Sequence, residues 1–522
     1  MQILANNSLV IQTKYPARIM ETVDNGKIVN NYGDGRYEVQ VQWDWKTAEI
    51  LTRMRIKDVP STINRDYKWP RPMGIEPFEH QRDTASFLTL RKRAFCFNEQ
   101  GTGKTASVIW AADYLMNLGL IKRVLVICPL SIMQSAWQAD LFKFAVHRKV
   151  DVAYGTTDKR IKIAKGPAEF VIINYDGVPA IAEEAIKNNL FDLIVIDEAN
   201  AYKNVQTKRW KLMHKLVGKD NWLWMLTGTP AAQSPVDAFG LGRLCVPERA
   251  PRFFGDFRES VMQKIDMFRW VPRHDADKIV HDLLQPAIRY EKADCLDLPD
   301  VTYTSRVAPL TPSQAKHYKE MKNQMLLEAA GEEISLVNAA AKMSKLLQIS
   351  CGAVYTDSGA VVEFDVSDRL RVIKEVIDEA SHKVLIFVPF RHTINLLQDY
   401  LVKNNISCDV IHGEVPVQKR TSIFKDFQGT ERIKVLVIQP QAASHGVTLT
   451  AANVVVWYSP VTSAETYLQA NARIDRPGQR NPMTVVHIEG SPVERRLYTM
   501  LQGNIKNHEK IIDLYKKELA DT

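Results

Sequence analysis

"RAFCFNEQGTGKTASVIWAADYL", residues 93 to 115, decides the class of fold. A short apolar run leads into a loop holding Gly101 and Gly103, and a helical pattern begins at once behind it. Strand, glycine loop and helix in that order make a phosphate cradle. The glycines let the backbone approach an anion closely, while the first turn of the helix offers unpaired N–H donors and the positive end of its dipole. Gly101, Thr102 and Gly103 supply the loop, Lys104 reaches the β- and γ-phosphates of a nucleotide, and Thr105 is placed to ligate Mg²⁺. Asn98 stands where the strict pattern has a glycine.

Such a cradle belongs at the carboxyl end of a parallel strand, and the chain supplies the sheet. "RVLVICP", "FVIINY", "FDLIVIDE" and "WLWMLTGT" are followed, after a long stretch without clear strand runs, by "KVLIFVP", "KVLVIQP", "VVVWYS" and "MTVVHI". Near-continuous apolar runs separated by amphipathic stretches are the pattern of strands covered by helices on both faces. Two such series predict an α/β protein of two parallel-sheet lobes with a helical insert. "FDLIVIDEA" ends in Asp197 and Glu198. Magnesium takes hard oxygen ligands and keeps several waters, so Asp197 suits its shell, and Glu198 can polarise an attacking water.

Residues 1–70 differ in texture. "KIVNNYGDGRYEVQVQWDW" alternates around Gly33-Asp34-Gly35 as a hairpin should, which predicts a small β-rich domain with Trp43 and Trp45 on one strand face. The proline-bearing "YKWPRPMGIEP" reads as the linker into residues 71–300, the first lobe; residues 301–522 form the second, ending in a helical brace.

The composition, 45% hydrophobic and 25% charged with a net charge of +8, is that of a globular chain which permits a polyanionic partner without requiring one. No long apolar run or basic leader is present, which excludes a membrane reading and predicts a cytoplasmic, nucleoid-associated protein, or a nuclear one in a eukaryote. Six scattered cysteines without a C-x-x-C pair read as buried reduced thiols, and His274 and His281 match no standard metal spacing.

"QANARIDRPGQR", residues 469–480, reads as the start of a helix with Arg473, Arg476 and Arg480 brought to one face. If the second lobe faces the first, Arg473 and Arg476 can reach the γ-phosphate held by Lys104 and stabilise the transferring phosphoryl group. With these elements in order the chain resembles the superfamily-two helicase-like ATPases, and within them the Swi/Snf-type DNA translocases, over roughly residues 75–510. "EPFEHQ" resembles the family's adenine-recognising motif with Gln81 at its key position; "CPLSIMQSAW", "NYDG", "DEANAYKN", "LTGTPAAQSPVDAFGL", "KVLIFVPF", "QAASHGVTLTAANVVVWY" and "QANARIDRPGQ" resemble the motifs that follow.

The resemblance implies two RecA-like lobes with helical insertions and ATP and Mg²⁺ as cofactors, with Gly446 and Gln469 added to the nucleotide site. It implies a phosphate-backbone track over Ser131, Tyr175 and Asp176 on one lobe, and over His412, Gly413, Lys419, Arg420, Gln441 and Ser444 on the other. Asn200 and Asn98 depart from the family pattern, which has a histidine and an acid there. The implied function is ATP-driven translocation on double-stranded or forked DNA, acting as a monomer on DNA structures or DNA-bound proteins in replication, repair or recombination, closest to the fork-remodelling branch. A strand-separating DNA or RNA helicase and a non-hydrolysing DNA clamp are the alternatives.

Overall fold

The computed structural model describes residues 1–228, 230–231, 234–265, 270–295, 299–329, 336–355, 361–442 and 447–503. Two compact units divide the chain, the first ending at Cys295 and the second taking over from Leu296, with Ala231–Ser234 counted in the second.

The N-terminal strands β1 (Gln2–Ile3), β2 (Ser8–Thr13), β3 (Lys27–Asn31) and β4 (Tyr37–Gln42) form an antiparallel sheet in the order β1-β2-β4-β3. Alternation puts Leu9, Ile11, Val39 and Val41 on one face, where they pack with Ile19, Val23, Trp43, Ile50 and Leu51. The two tryptophans do not share a strand. The Asp44 carboxylate accepts from the Thr47 N–H at 2.7 Å and caps a helix, Trp45–Arg53, so the strand stops before Trp43. Trp45 then donates to the Thr89 carbonyl and tilts against Trp222, 6.4 Å away.

The expected linker is also more than a tether. Tyr67 and Trp69 are each 7% exposed and pack edge-on against Tyr114 and Trp110. The Tyr67 hydroxyl donates to Asp113, a fully buried carboxylate that also takes the Arg148 guanidinium at 2.5 Å. Prolines end regular structure, yet the aromatics between them still carry enough apolar area to be drawn into the lobe.

The first lobe contains β5 (Arg93–Cys96), β6 (Val124–Cys128), β7 (Val150–Val152), β8 (Phe170–Asn174), β9 (Leu193–Ile196) and β10 (Trp222–Leu226). An antiparallel hairpin, β11 (Met262–Lys264) with β12 (Trp270–Pro272), precedes β13 (Ala287–Ile288), and the parallel sheet runs β13-β5-β10-β9-β6-β8-β7. The residues of β6, β8, β9 and β10 are buried throughout, which is why they read as unbroken apolar runs. The edge strands β7 and β13 are short and half-exposed and carried no such signal.

The second unit contains β14 (Val301–Val307), a hairpin of β15 (Ala353–Tyr355) and β16 (Val361–Glu363), then β17 (Lys383–Phe387), β18 (Cys408–Ile411), β19 (Val435–Ile438), β20 (Ala452–Trp457) and β21 (Met483–Glu489). Its parallel sheet runs β14-β21-β20-β17-β19-β18. The stretch expected to be a helical insert therefore also supplies a strand to each sheet. β14 escaped sequence reading because it is a polar, exposed edge.

Arg369 and Glu494, 3% and 0% exposed, form a bidentate pair at 2.9 and 2.8 Å inside this lobe. Glu494 also accepts from the Gly490 and Ser491 N–H groups and caps the helix Pro492–Gln502. That helix packs Val493, Leu497 and Met500 against Met343, Leu346 and Leu347 of the helix Leu336–Cys351; the remainder of the expected C-terminal brace lies outside the described residues. Four cysteines are buried, but Cys295 and Cys408 are only partly covered.

Candidate nucleotide site and nucleic-acid track

Each element of the first site sits at the carboxyl end of a strand. β5 delivers the glycine loop, β9 delivers Asp197 and Glu198, and β10 lies between them. Gly101 and Gly103 take φ of +88° and +78°, the left-handed region that a side chain resists. A Cβ at Gly103 would also stand 2.0 Å from the Gln81 amide nitrogen. Helix Lys104–Asn117 begins on Gly103 with no side-chain cap, which leaves its first N–H groups to an incoming anion. Thr105 is half-buried in that first turn.

The Lys104 ammonium donates to the carbonyls of Asn98 and Glu99, at 2.7 and 3.2 Å, and so rests on the loop it would serve. Gln81 closes the same loop from the helix Glu79–Thr89. Its carbonyl oxygen accepts from the Phe78 N–H at 3.1 Å and its amide donates to the Thr102 carbonyl at 3.2 Å, where His80 also bonds at 2.8 Å.

Asp197 is 8% exposed, and burial raises its pKa against the opposing pull of the Trp137 indole and Lys104. Trp137 Nε1 donates to Asp197 Oδ2 at 2.9 Å, and the Glu198 N–H to Oδ1 at 2.9 Å. Glu198 is left-handed, with φ +48° and ψ +58°, and its carboxylate lies 3.4 Å from the Gln100 amide. Among the described residues no group of three or more histidine, cysteine or carboxylate side chains could hold a metal alone. Thr105, half-buried in the first turn of its helix, and the buried Asp197 carboxylate are hard oxygen donors, the kind of ligand Mg²⁺ takes beside phosphates and water.

The residues expected along a backbone track divide. Asp176 is exposed and paired with Arg209 at 2.8 Å, whereas the Tyr175 hydroxyl turns inward to the Asp197 carbonyl. Ser131 lies on the turn Leu130–Ile132 after β6. On the second lobe, His412 and Gly413 follow β18, and Arg420, from helix Val417–Gly429, donates to the Gly413 and Val415 carbonyls at 2.7 Å each. Burial, Arg391 and Arg420 lower the His412 pKa. Lys419 and Gln441 are exposed, while Ser444 and Gly446 lie outside the described residues.

The arginines of residues 469–480 sit at the end of a helix rather than its start. Ser463 caps Ala464–Asn471, and the chain then turns through Pro477 and Gly478, whose φ is +102°. Consequently the three do not share a face. Arg473 is 2% exposed and donates to the Gln469 carbonyl, Arg476 is half-buried and donates to the Ala472 carbonyl, and Arg480 is exposed. Gln469, 7% exposed, turns its amide to Glu465 at 3.2 Å.

Residues 80–352 match the SNF2-related domain, and residues 368–478 match the helicase conserved C-terminal domain. The chain belongs to the SNF2-related family. It is 24% identical to an uncharacterized ATP-dependent helicase of Mycoplasma genitalium, covering 99% of this chain and 48% of the relative. It is 25% identical to protein p41 of Acyrthosiphon pisum secondary endosymbiont phage 1 over 79% of this chain and 92% of that one. The mouse (Mus musculus) chromodomain-helicase-DNA-binding protein 1-like is 25% identical over 80% of this chain and 47% of its own. The chain thus spans about half the length of the Mycoplasma and mouse relatives. Among solved structures, the Sulfolobus solfataricus SWI2/SNF2 ATPase core in complex with dsDNA aligns at 22% identity and TM-score 0.40, covering 86% of this chain and 95% of that one.

Within this SNF2-related chain the departure at Asn98 has a local cause. Thr84 Oγ1 donates to the His80 carbonyl, so it can only accept from Asn98, whose amide donates at 2.8 Å. The Asn98 side-chain oxygen, Oδ1, accepts from the Tyr290 N–H at 3.0 Å. An ionised acid at this 1% exposed position could not donate. Asn200 gives its carbonyl to the Lys203 N–H in the turn Ala199–Tyr202. Sequence reasoning missed Trp137 and His80, although both lie inside quoted motifs. Trp137 falls in a π-helical turn, Met133–Gln138, a form that concentrates at functional sites and has no sequence periodicity.

Proposed function

We propose that the protein is an ATP-driven translocase on double-stranded DNA that remodels DNA structures or DNA-bound proteins, with Mg²⁺ as its metal. The observation that carries this reading is the pairing, in one sheet, of the glycine loop behind β5 with the turn of buried Asp197 and half-buried Glu198 behind β9. Thr105 and Asp197 would hold Mg²⁺, which when bound would supply positive charge to the phosphates. The chain's own groups do the rest. Lys104 exchanges the Asn98 and Glu99 carbonyls for phosphate oxygens, and the N–H groups at the start of its helix take the same anion. Trp137 keeps Asp197 oriented, and Glu198 accepts the proton of the attacking water. Gln81 leaves Thr102 to read the adenine. Arg473 and Arg476 supply positive charge to the transferring group, as the family resemblance implies.

Asp176, His412, Gly413, Lys419 and Arg420 are the contacts we assign to the DNA backbone, a grip that reads no sequence.

Steady-state ATP hydrolysis measured with no nucleic acid, duplex, fork, single strands and RNA tests the proposal. Stimulation by duplex or fork, lost in Lys104→Ala and in Arg476→Ala, is the expected result. Stimulation by single strands or RNA alone would replace translocation with strand separation, and absence of hydrolysis would leave a DNA clamp.

A further inference from the structure

Tyr175 follows β8, where the family resemblance implies a nucleic-acid contact, yet its hydroxyl faces the acidic turn. It donates to the Asp197 carbonyl at 2.6 Å and lies 3.3 Å from the Glu198 carbonyl. Between those two oxygens the chain makes its left-handed step at Glu198. That conformation costs a residue with a side chain about 1–2 kcal/mol and persists only where the surroundings over-determine it.

The surroundings can be named. The Asp197 N–H donates to Ile127 at 2.9 Å, the Glu198 N–H is held by Asp197 Oδ1, and the Glu198 carbonyl takes the Ala201 N–H at 3.1 Å. Those bonds fix the N–H side of the turn and its exit. Tyr175 holds the Asp197 carbonyl.

The ring that carries this hydroxyl is itself clamped. Tyr202 meets it edge-on at 5.9 Å, and the Arg209 guanidinium lies 5.2 Å from its centroid while pairing with Asp176. Burial, with Asp197 and Glu198 close by, pushes the Tyr175 pKa well above its ordinary value, so the group remains a donor. Beside the ring a cavity of about 640 Å³ opens, lined by Val178 and Leu212 together with Tyr202 and Arg209.

We propose that Tyr175 is a positioning residue for Glu198: its hydroxyl fixes the strained turn that aims the Glu198 carboxylate. The proposal rests on reading this lobe as the ATP-hydrolysing one. General-base chemistry depends on hydrogen-bond reach, so a turn free to relax would hold the carboxylate in place for a smaller share of the time.

Tyr175→Phe keeps the ring and its packing and removes only the donor. In the nucleotide-free full chain, hydrogen exchange of the amides in residues 197–203 should quicken about tenfold, the equivalent of one lost hydrogen bond, while β8 and the helix Val178–Lys187 stay as in the wild type. With duplex present, kcat should fall about three- to tenfold, with KM for ATP and duplex affinity unchanged. Unchanged exchange in residues 197–203 overturns the proposal, whatever hydrolysis shows. So does a variant whose duplex affinity drops while kcat holds, which would make the hydroxyl a nucleic-acid contact. A wild-type chain that hydrolyses no ATP refutes the proposed function, and the exchange result still decides the role of Tyr175.

Discussion

His487 makes the second lobe sensitive to acid. It is 0% exposed on β21, stacked on Tyr498 at 4.1 Å and 11°, with Nε2 2.9 Å from the Tyr467 hydroxyl and Nδ1 3.3 Å from the Gln502 amide. The Gln502 amide can only donate to Nδ1, so Nε2 carries the ring proton and gives it to Tyr467. A second proton has no acceptor, and burial lowers the His487 pKa from 6.5 to about 4. Because the unfolded chain then binds the proton more readily than the folded one, stability is complete above pH 6.5 and drains away as pH falls toward 4. The full loss is about 3 kcal/mol, at about 1.4 kcal/mol for each tenfold change in proton affinity. Native-state hydrogen exchange of the β20 and β21 amides, followed from pH 7 to pH 4 and corrected for intrinsic exchange, reads this lobe without requiring the whole chain to unfold in one step. Against His487→Gln, the wild type should lose about 3 kcal/mol more protection over that range. Parallel losses in the two proteins would refute the argument, and would mean that the ring gains an acceptor on protonation.

Two further outcomes follow from buried partners. Glu494→Gln leaves Arg369 charged and uncompensated at 3% exposure and should cost the second lobe about 3–5 kcal/mol, whereas Arg369→Met combined with Glu494→Gln, which keeps an acceptor for the Gly490 and Ser491 N–H groups, should cost far less; both are read by the same amide exchange. Trp137→Phe removes the indole donor from Asp197 while keeping an aromatic in the core, and should lower kcat about tenfold and raise the Mg²⁺ concentration needed for half-maximal hydrolysis, measured by magnesium titration at saturating ATP.

The glycine loop and the acidic turn were legible because each is local. A glycine loop between strand and helix needs only its own dozen residues to form, and the carboxylates at the end of β9 are announced by the apolar strand before them. The Asp44 cap that turns Trp45 into a helix is local too, but the alternation leading up to it concealed it. Trp137 is a different case, since nothing within its turn shows that the indole faces a carboxylate sixty positions further along.

By itself the sequence determined which segments are covered on both faces, because short apolar runs rich in β-branched residues, set between amphipathic stretches, are the pattern of strands in a parallel sheet with helices on both sides. It also determined where the glycine loop and the acids stand, since left-handed loop backbone favours glycine and the two carboxylates directly follow an apolar strand. Tertiary structure alone decided the direction of individual side chains. Tyr175 turns from the surface to the Asp197 carbonyl, Arg473 is enclosed while Arg480 stays in water, and β14 gains its place by pairing with β21, far along the chain. Each depends on a partner distant in sequence, and a hydrogen bond or ladder between distant segments leaves no period in either of them.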